Sequence, residues 1–375
     1  MRLSPGYGTS APPFCYAAVG TIEGKTTVLK YDPRKLVRED NPGANPGDLV
    51  MFKFVPEDLP DGAPLVVVLH GCGQTAAGYA TGAGWTTLAE RWGFALLAPE
   101  QQAANNQGRC FNWFEAGDIE RGQGEAASIR QMVERMRADH AIDPKRIYVT
   151  GLSAGGAMAA ALLATYPDVF AGGGIVAGLP YKSAIGMREA LGTMFRGRVR
   201  TPVEWGDLVR TASGHTGPWP VVSIWQGNAD KTVAASNAVE LANQWANVHG
   251  APGPASEGLV KGHRHILLRN SDGKPVVELF EIAGMGHGAP IFPDDPEFPL
   301  GEAEAFILPM GISSTLGIAR FWGLEPGAAR VEEEIITAPE RLEAAAAETP
   351  VFTRPVKTGI LKKLWKGIKR IVGRT

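Results

Sequence analysis

The stretch Arg146-Ile147-Tyr148-Val149-Thr150-Gly151-Leu152-Ser153-Ala154-Gly155 decides how the chain is read. Its first half is a β-branched and aromatic run suited to a strand, and the residues beyond Ser153 are Ala-rich and suited to a helix. Between them, the Gly-x-Ser-x-Gly spacing fits a sharp strand-to-helix turn. The two glycines leave room for that turn, which lifts the Ser153 hydroxyl clear of the backbone. A free serine hydroxyl is a weak nucleophile at neutral pH. On such a turn a histidine can take its proton while the next amide, that of Ala154, points at a developing oxyanion. In a chain with 47 glycines the five-residue pattern alone is unspecific. Its specificity comes from the strand before it and the helix after it.

Working outward, Met51–Val55 and Leu65–Leu69 read as strands separated by a Pro-Asp-Gly turn, an antiparallel entry into a sheet. A helix from about Gly84 to Trp92, the strand Phe94–Ala98 and an amphipathic helix from about Gly124 to Asp139 lead to the elbow. Beyond it, Val221–Trp225 reads as a buried strand, Ser236 to about Val248 as a helix, and Val276–Ile282 as a further strand. Alternating helices and continuous apolar strands imply an α/β class with a mostly parallel sheet covered on both faces. Residues 1–48, rich in Pro and Gly, read as an irregular arm. Residues 49–325 read as the catalytic domain, with a polar, partly helical cap or rim insert at about 183–219.

In such a sheet the reactive groups gather in loops past the carboxyl ends of strands, in the chain order Ser, acid, His. Among the acids after Ser153, Asp230 is best placed, in the turn Gly227-Asn228-Ala229-Asp230 directly after a strand. Asp272, before Gly273, reads as a hairpin turn. His287 lies in the Gly-rich loop Ala283-Gly284-Met285-Gly286-His287-Gly288, from which it can reach back to the serine. His249 closes a helix and reads as a favourable C-terminal charge. His263 and His265 alternate on a basic strand expected to be exposed; with no carboxylate or cysteine ligand nearby, no metal is assigned to them. The loop Leu69-His70-Gly71-Cys72-Gly73 is placed to supply the second oxyanion donor, assigned to the Cys72 amide. His70 precedes the serine and shapes that loop.

The 375 residues, 44% hydrophobic, are enough for one large α/β domain with extensions or for two smaller ones. A net charge of −2 gives no support to nucleic-acid binding by the whole chain. No apolar run approaches the roughly 20 residues that span a bilayer. Met1-Arg2-Leu3-Ser4-Pro5-Gly6 lacks the features of a secretory signal, which points to the cytoplasm. The three cysteines, Cys15, Cys72 and Cys110, are either reduced thiols or include a Cys72–Cys110 bridge, which would imply an oxidising compartment. The missing signal and such a bridge point in opposite directions.

Taken together, Leu69-His70-Gly71-Cys72-Gly73-Gln74-Thr75, Cys110-Phe111-Asn112-Trp113-Phe114, Arg121-Gly122-Gln123-Gly124-Glu125, Gly151 to Gly156 and Gly178-Leu179-Pro180-Tyr181 resemble the esterase and polyhydroxybutyrate depolymerase family of α/β-hydrolases. The resemblance covers about residues 50–323. It implies the α/β-hydrolase fold and an extracellular or polymer-directed serine carboxylesterase that needs no cofactor. The implied substrates are short-chain polyhydroxyalkanoates or, in relatives, feruloyl and acetyl esters of plant polysaccharide. By position it implies Ser153 as nucleophile, Asp230 and His287 as its partners, and a Cys72–Cys110 disulfide. The chain departs from the pattern at Lys182-Ser183, where many relatives carry a further cysteine, and it shows no separate polymer-binding domain.

Trp113, with Asn112 and His70 beside it, is the candidate for substrate contact; Trp219 is a further wall candidate, whereas Trp85 and Trp225 read as core. Residues 326–355 read as an acidic, then Pro-containing linker, and 356–375 as a cationic amphipathic helix. That helix carries Ile360, Leu361, Leu364, Trp365, Ile368, Ile371 and Val372 opposite Lys362, Lys363, Lys366, Lys369 and Arg370. Such a helix suits a membrane or polymer surface, or its own acidic domain. Two rivals to the esterase share these features: a non-catalytic surface-binding protein of the same fold, and a peptidase.

Overall fold

The computed structural model describes residues 36–251 and 256–327, together with the backbone of residues 21–22 and 25–26. Two short strands, β1 (Thr21–Ile22) and β2 (Lys25–Thr26), pair antiparallel with each other. Ten strands then build one sheet: β3 (Val37–Glu39), β4 (Val50–Phe54), β5 (Ala63–Leu69), β6 (Ala95–Glu100), β7 (Ile142–Leu152), β8 (Gly172–Val176), β9 (Val221–Gly227), β10 (Ser256–Val260), β11 (His263–Arg269) and β12 (Pro275–Ile282). Their order across the sheet is β10-β11-β12-β9-β8-β7-β5-β6-β4-β3. The six central strands from β12 to β6 are parallel, and each edge is closed by two antiparallel strands. A small parallel pair, β13 (Ala289–Ile291) and β14 (Ile307–Pro309), stands apart from the sheet.

The continuous apolar runs of the central strands follow from burial on both faces. On β5, Leu65, Val67 and Leu69 point into one core and Val66 and Val68 into the other. The first core is covered by α4 (Gly124–Asp139), α5 (Ala154–Thr165) and α8 (Ser236–Val248), the second by α1 (Ala76–Gly82), α2 (Trp85–Trp92) and α9 (Ser314–Phe321). Helix α3 (Ala116–Ile119) precedes α4, and the insert holds α6 (Met187–Arg196) and α7 (Pro202–Arg210). Helix α7 starts on a reciprocal cap, the Thr201 hydroxyl accepting from Glu204 N–H and the Glu204 carboxylate from Thr201 N–H, with Pro202 at the first helical position. Every residue of α5 is buried, and its Ala and Gly content lets it lie close against the sheet.

Several expectations change. The arm is not irregular throughout, since β3 lies within it and borders the sheet. Strand β4 pairs antiparallel with β6 rather than with β5. Strand β8 escapes a propensity reading because it begins with three glycines, yet each is required by close packing. A Cβ on Gly173 would overlap Leu163, and one on Gly174 would lie 2.7 Å from Ile318. The exposed strand expected at His263 and His265 is buried, with the two residues 8% and 6% exposed, because β11 lies inside the sheet edge between β10 and β12. The acidic linker, apart from residues 326–327, and the cationic C-terminal helix lie outside the described residues, as do residues 1–20 of the arm.

Candidate active site

Ser153 occupies the junction of β7 and α5 with φ 58° and ψ −116°, a conformation rare for a residue with a side chain. Its amide donates to the Val176 carbonyl at 2.9 Å, which ties the turn to β8. The flanking glycines are demanded by contact: a Cβ on Gly151 would overlap the backbone of Gly155, and one on Gly155 would overlap the carbonyl oxygen of Leu69. The absence of two Cβ atoms therefore brings the elbow against the end of β5, where the Gly71-Cys72 loop begins.

Asp230 follows β9, and its side chain has no exposed surface. One carboxylate oxygen accepts from the amides of Thr232 (2.7 Å) and Val233 (2.9 Å); the other accepts from Gln226 Nε2 (3.0 Å) and His287 Nδ1 (2.7 Å). Burial pushes this carboxyl up, but the hydrogen bond and charge of His287 and the two amides outweigh it and hold the group below the ordinary aspartate value. An ionised carboxylate only accepts, so Nδ1 of His287 carries the proton. Nε2 is then free to accept the Ser153 hydroxyl at 2.9 Å.

The histidine loop is fastened to the acid turn by main chain. Ala229 N–H donates to the Met285 carbonyl at 3.0 Å, and Gly284 N–H to Asn228 Oδ1 at 2.8 Å. A side chain at Gly227 would collide with the carbonyl of Met285. The three groups that sequence spacing nominates are thus brought into one hydrogen-bonded line across 134 residues.

Of the two amides expected to face the oxyanion, that of Ala154 directly follows Ser153 at the start of α5, and that of Cys72 lies in the loop after β5. Among the described residues, neither Cys72 N–H nor Ala154 N–H donates to a protein acceptor. Cys72 and Cys110 are joined by a disulfide with Cα atoms 4.2 Å apart. Trp113 is buried edge-on to Phe114, in a core cluster that also holds Ala154, Ala157, Leu179 and Val233 and so borders the elbow. Asn112 is occupied differently from the expectation of substrate contact: its amide side chain accepts from Asn106 and donates to Asp118. His70 is withdrawn from substrate contact altogether. It has no exposed surface, and both ring nitrogens are held by backbone groups.

The remaining candidates separate by burial. Trp85 and Trp225 are about 1% exposed and belong to the core; Trp219 is half-buried, edge-on to His215. His249 is not a helix-end charge, because burial lowers it to about 4 and its Nε2 donates to the Pro220 carbonyl at 2.9 Å. His263 accepts from Ala283 N–H and donates to the Met310 carbonyl. His265 stacks on Phe280 and pairs with Glu278. Among the described residues, no group of three His, Cys, Asp or Glu is placed to hold a metal ion. No helix among them is long and apolar enough to cross a membrane.

Sequence reasoning missed Phe306, whose ring lies edge-on to that of His287 at 5.9 Å and is 47% exposed. It has φ 64°, and beside Ala305, Ile307 and Leu308 it reads in the sequence as one more apolar residue of a short run. Gln226, which holds the Asp230 carboxylate, is equally silent within an apolar strand.

Residues 53–256 match the family described as Esterase PHB depolymerase. The chain is 49% identical over 291 residues to poly(3-hydroxyalkanoate) depolymerase C of Paucimonas lemoignei, covering 77% of this chain and 70% of that protein. It is 33% identical over 257 residues to feruloyl esterase B of Neurospora crassa, covering 67% of this chain and 87% of that one. In structure it is similar to the acetyl xylan esterase from Aspergillus awamori, with a TM-score of 0.63 at 22% identity over 77% of this chain and 99% of that chain. That last likeness speaks for the α/β-hydrolase fold.

Proposed function

The chain belongs to the esterase PHB depolymerase family and is a carboxylic ester hydrolase, and from that membership we propose that it cleaves short-chain polyhydroxyalkanoate through a Ser153–His287–Asp230 acyl-enzyme mechanism. The observation that carries the mechanism is the line of hydrogen bonds from Ser153 Oγ through the His287 ring to the Asp230 carboxylate, 2.9 and 2.7 Å long.

In this reading, His287 Nε2 takes the hydroxyl proton as Ser153 Oγ attacks the ester carbonyl. The negative charge that forms on the carbonyl oxygen is met by the amides of Cys72 and Ala154. Such donors are worth about 3–4 kcal/mol each in the transition state. The imidazolium is held by the buried Asp230 carboxylate and returns its proton to the leaving alcohol. Water, activated by the same histidine, then cleaves the acyl-enzyme and frees the acid. The route consumes only ester and water.

The 49% identity to a polyhydroxyalkanoate depolymerase favours a polyester substrate over a polysaccharide ester. The feruloyl esterase at 33% identity keeps feruloyl and acetyl esters as the second reading. A peptidase would use the same triad, so the substrate assignment needs its own test. Wild-type enzyme and Ser153→Ala are incubated with p-nitrophenyl butyrate, a poly-3-hydroxybutyrate film, feruloylated arabinoxylan and acetylated xylan. Release of hydroxy acid from the film by wild type, and none by Ser153→Ala, is expected. More than a trace of hydrolysis of the soluble ester by Ser153→Ala overturns the nucleophile. An inert film beside a cleaved xylan ester overturns the polyester assignment.

A further inference from the structure

To serve as an oxyanion donor, the Cys72 amide must be held in one direction. Cys72 is exposed on a loop, and a peptide plane there can rotate unless something fixes it. The amide of Cys72 and the carbonyl of Gly71 belong to one trans peptide, so fixing the carbonyl fixes the amide in the opposite direction. The Gly71 carbonyl accepts from His70 Nδ1 at 2.8 Å, and also from Gln74 N–H at 3.2 Å.

The proton on Nδ1 follows from the second contact of the ring. His70 Nε2 lies 3.1 Å from the amide of Gln101, which can only donate. Nε2 therefore accepts, and Nδ1 must carry the hydrogen that reaches Gly71. Burial keeps this ring below the ordinary histidine value, in agreement with a neutral imidazole in one fixed tautomer.

Gln101 is a hub rather than an endpoint. Its main-chain amide holds His70, while its side-chain NH2 donates to the Cys110 carbonyl at 3.2 Å and to Glu125. Glu125 in turn accepts from Asn112 N–H at 2.9 Å. Both halves of the Cys72–Cys110 bridge are therefore tied to one residue at the end of β6. His70, Gln101 and Glu125 are each 1% exposed or less, and none of them hydrogen-bonds to Ser153, His287 or Asp230.

We propose that His70, Gln101 and Glu125 are positioning residues that hold the Gly71–Cys72 peptide with its N–H aimed at the oxyanion. The inference rests on the Ser153 mechanism. It adds three residues that act through a peptide bond instead of through the substrate. Releasing the peptide should weaken the transition state and leave ground-state binding nearly unchanged.

The test compares wild type with His70→Phe, His70→Asn and Gln101→Met, using kcat and KM for p-nitrophenyl butyrate, the inhibition constant of an alkyl trifluoromethyl ketone, and the melting temperature. The ketone forms an oxyanion on Ser153 and so reads the same donors. Removing one oxyanion donor outright lowers kcat by about 100- to 1000-fold, and a misaimed donor should lower it by about tenfold or more. His70→Phe is expected to show that loss with KM within about twofold of wild type, and with ketone affinity falling by the same factor as kcat/KM. His70→Asn places an amide donor near the position of Nδ1 and should recover most of kcat. If His70→Phe does not fold, Gln101→Met must show the same parallel loss on a smaller scale.

Unchanged kcat and ketone affinity in the folded variants overturn the inference, as does a loss that follows melting temperature and is not restored by Asn. A wild-type enzyme that the ketone fails to inhibit would instead overturn the Ser153 mechanism, and the inference with it.

Discussion

Changing Asp230 to Asn isolates the role of the acid with little change of shape. The carboxylate accepts four hydrogen bonds: two from backbone amides on one oxygen, and those of His287 and Gln226 on the other. Asn can keep its carbonyl oxygen toward Thr232 and Val233. Its amide nitrogen then faces two donors, the His287 Nδ1–H and the Gln226 side chain. The histidine relieves that clash by moving its proton to Nε2, which now points at Ser153 and can no longer accept from it. A base held in the wrong tautomer costs about 10⁴ in kcat, or about 5.5 kcal/mol of transition-state stabilisation. The remaining conflict with Gln226 costs about 1–3 kcal/mol of folding stability, so the variant should melt earlier yet stay folded at about 25 °C. The assay is kcat and KM for p-nitrophenyl butyrate at about pH 7 beside a thermal melt. KM should move little, because no substrate contact is removed. Asp295→Asn is the control: that buried carboxylate is held by Lys261 and two amides and has no tie to His287, so kcat should stay within about twofold. An Asp230→Asn enzyme that keeps more than about a tenth of wild-type kcat refutes the reasoning.

Two further outcomes test the surroundings of the site. Reducing the Cys72–Cys110 bridge, or replacing both residues by Ser, reopens a 38-residue separation; chain entropy puts the loss at about 4 kcal/mol, a fall of about 10 °C in Tm by calorimetry, and an unchanged Tm would show the bridge to be thermodynamically idle. Glu125 is raised to about 8, chiefly by burial and then by the charge of Asp118, against the hydrogen bonds from Asn112 and Gln101. The folded protein therefore keeps a proton that the unfolded chain releases near pH 4.5, so this group's contribution to stability falls as pH rises from about 4.5 through about 8. Glu125→Gln is always neutral and should flatten that decline in melts run from about pH 5 to 9; a slope identical to wild type would contradict it.

How much of the fold and site is legible in the sequence depends on whether the deciding contacts are local. The elbow, the Asp230 turn and the His287 loop each follow a strand, and the chain order of their loops brings these three residues forward together. The alternation at His263 and His265 places both on one face, but period two does not say which face is covered; Phe280 and the main chain of Met310 supply the cover, and neither is near in sequence. The glycines of β8 look like a loop until Leu163 and Ile318 arrive from α5 and α9. The partner of β4 cannot be chosen from the chain alone because pairing with β6 is decided across the intervening α1 and α2. The loop that holds His70 is legible but the direction of its ring is not, since nothing local announces that Gln101 closes over it.

The hydrogen bond joining Ser153 to His287 spans 134 residues, and the loop that carries His287 hangs from β12, which pairs with β9 in the far half of the sheet. During synthesis Ser153 leaves the ribosome long before His287 has been made. A nascent chain arrested anywhere short of residue 287 holds a hydroxyl with no histidine behind it. Under the mechanism proposed for Ser153, onset of ester cleavage on a translating ribosome would mark the moment the far half of the sheet has closed.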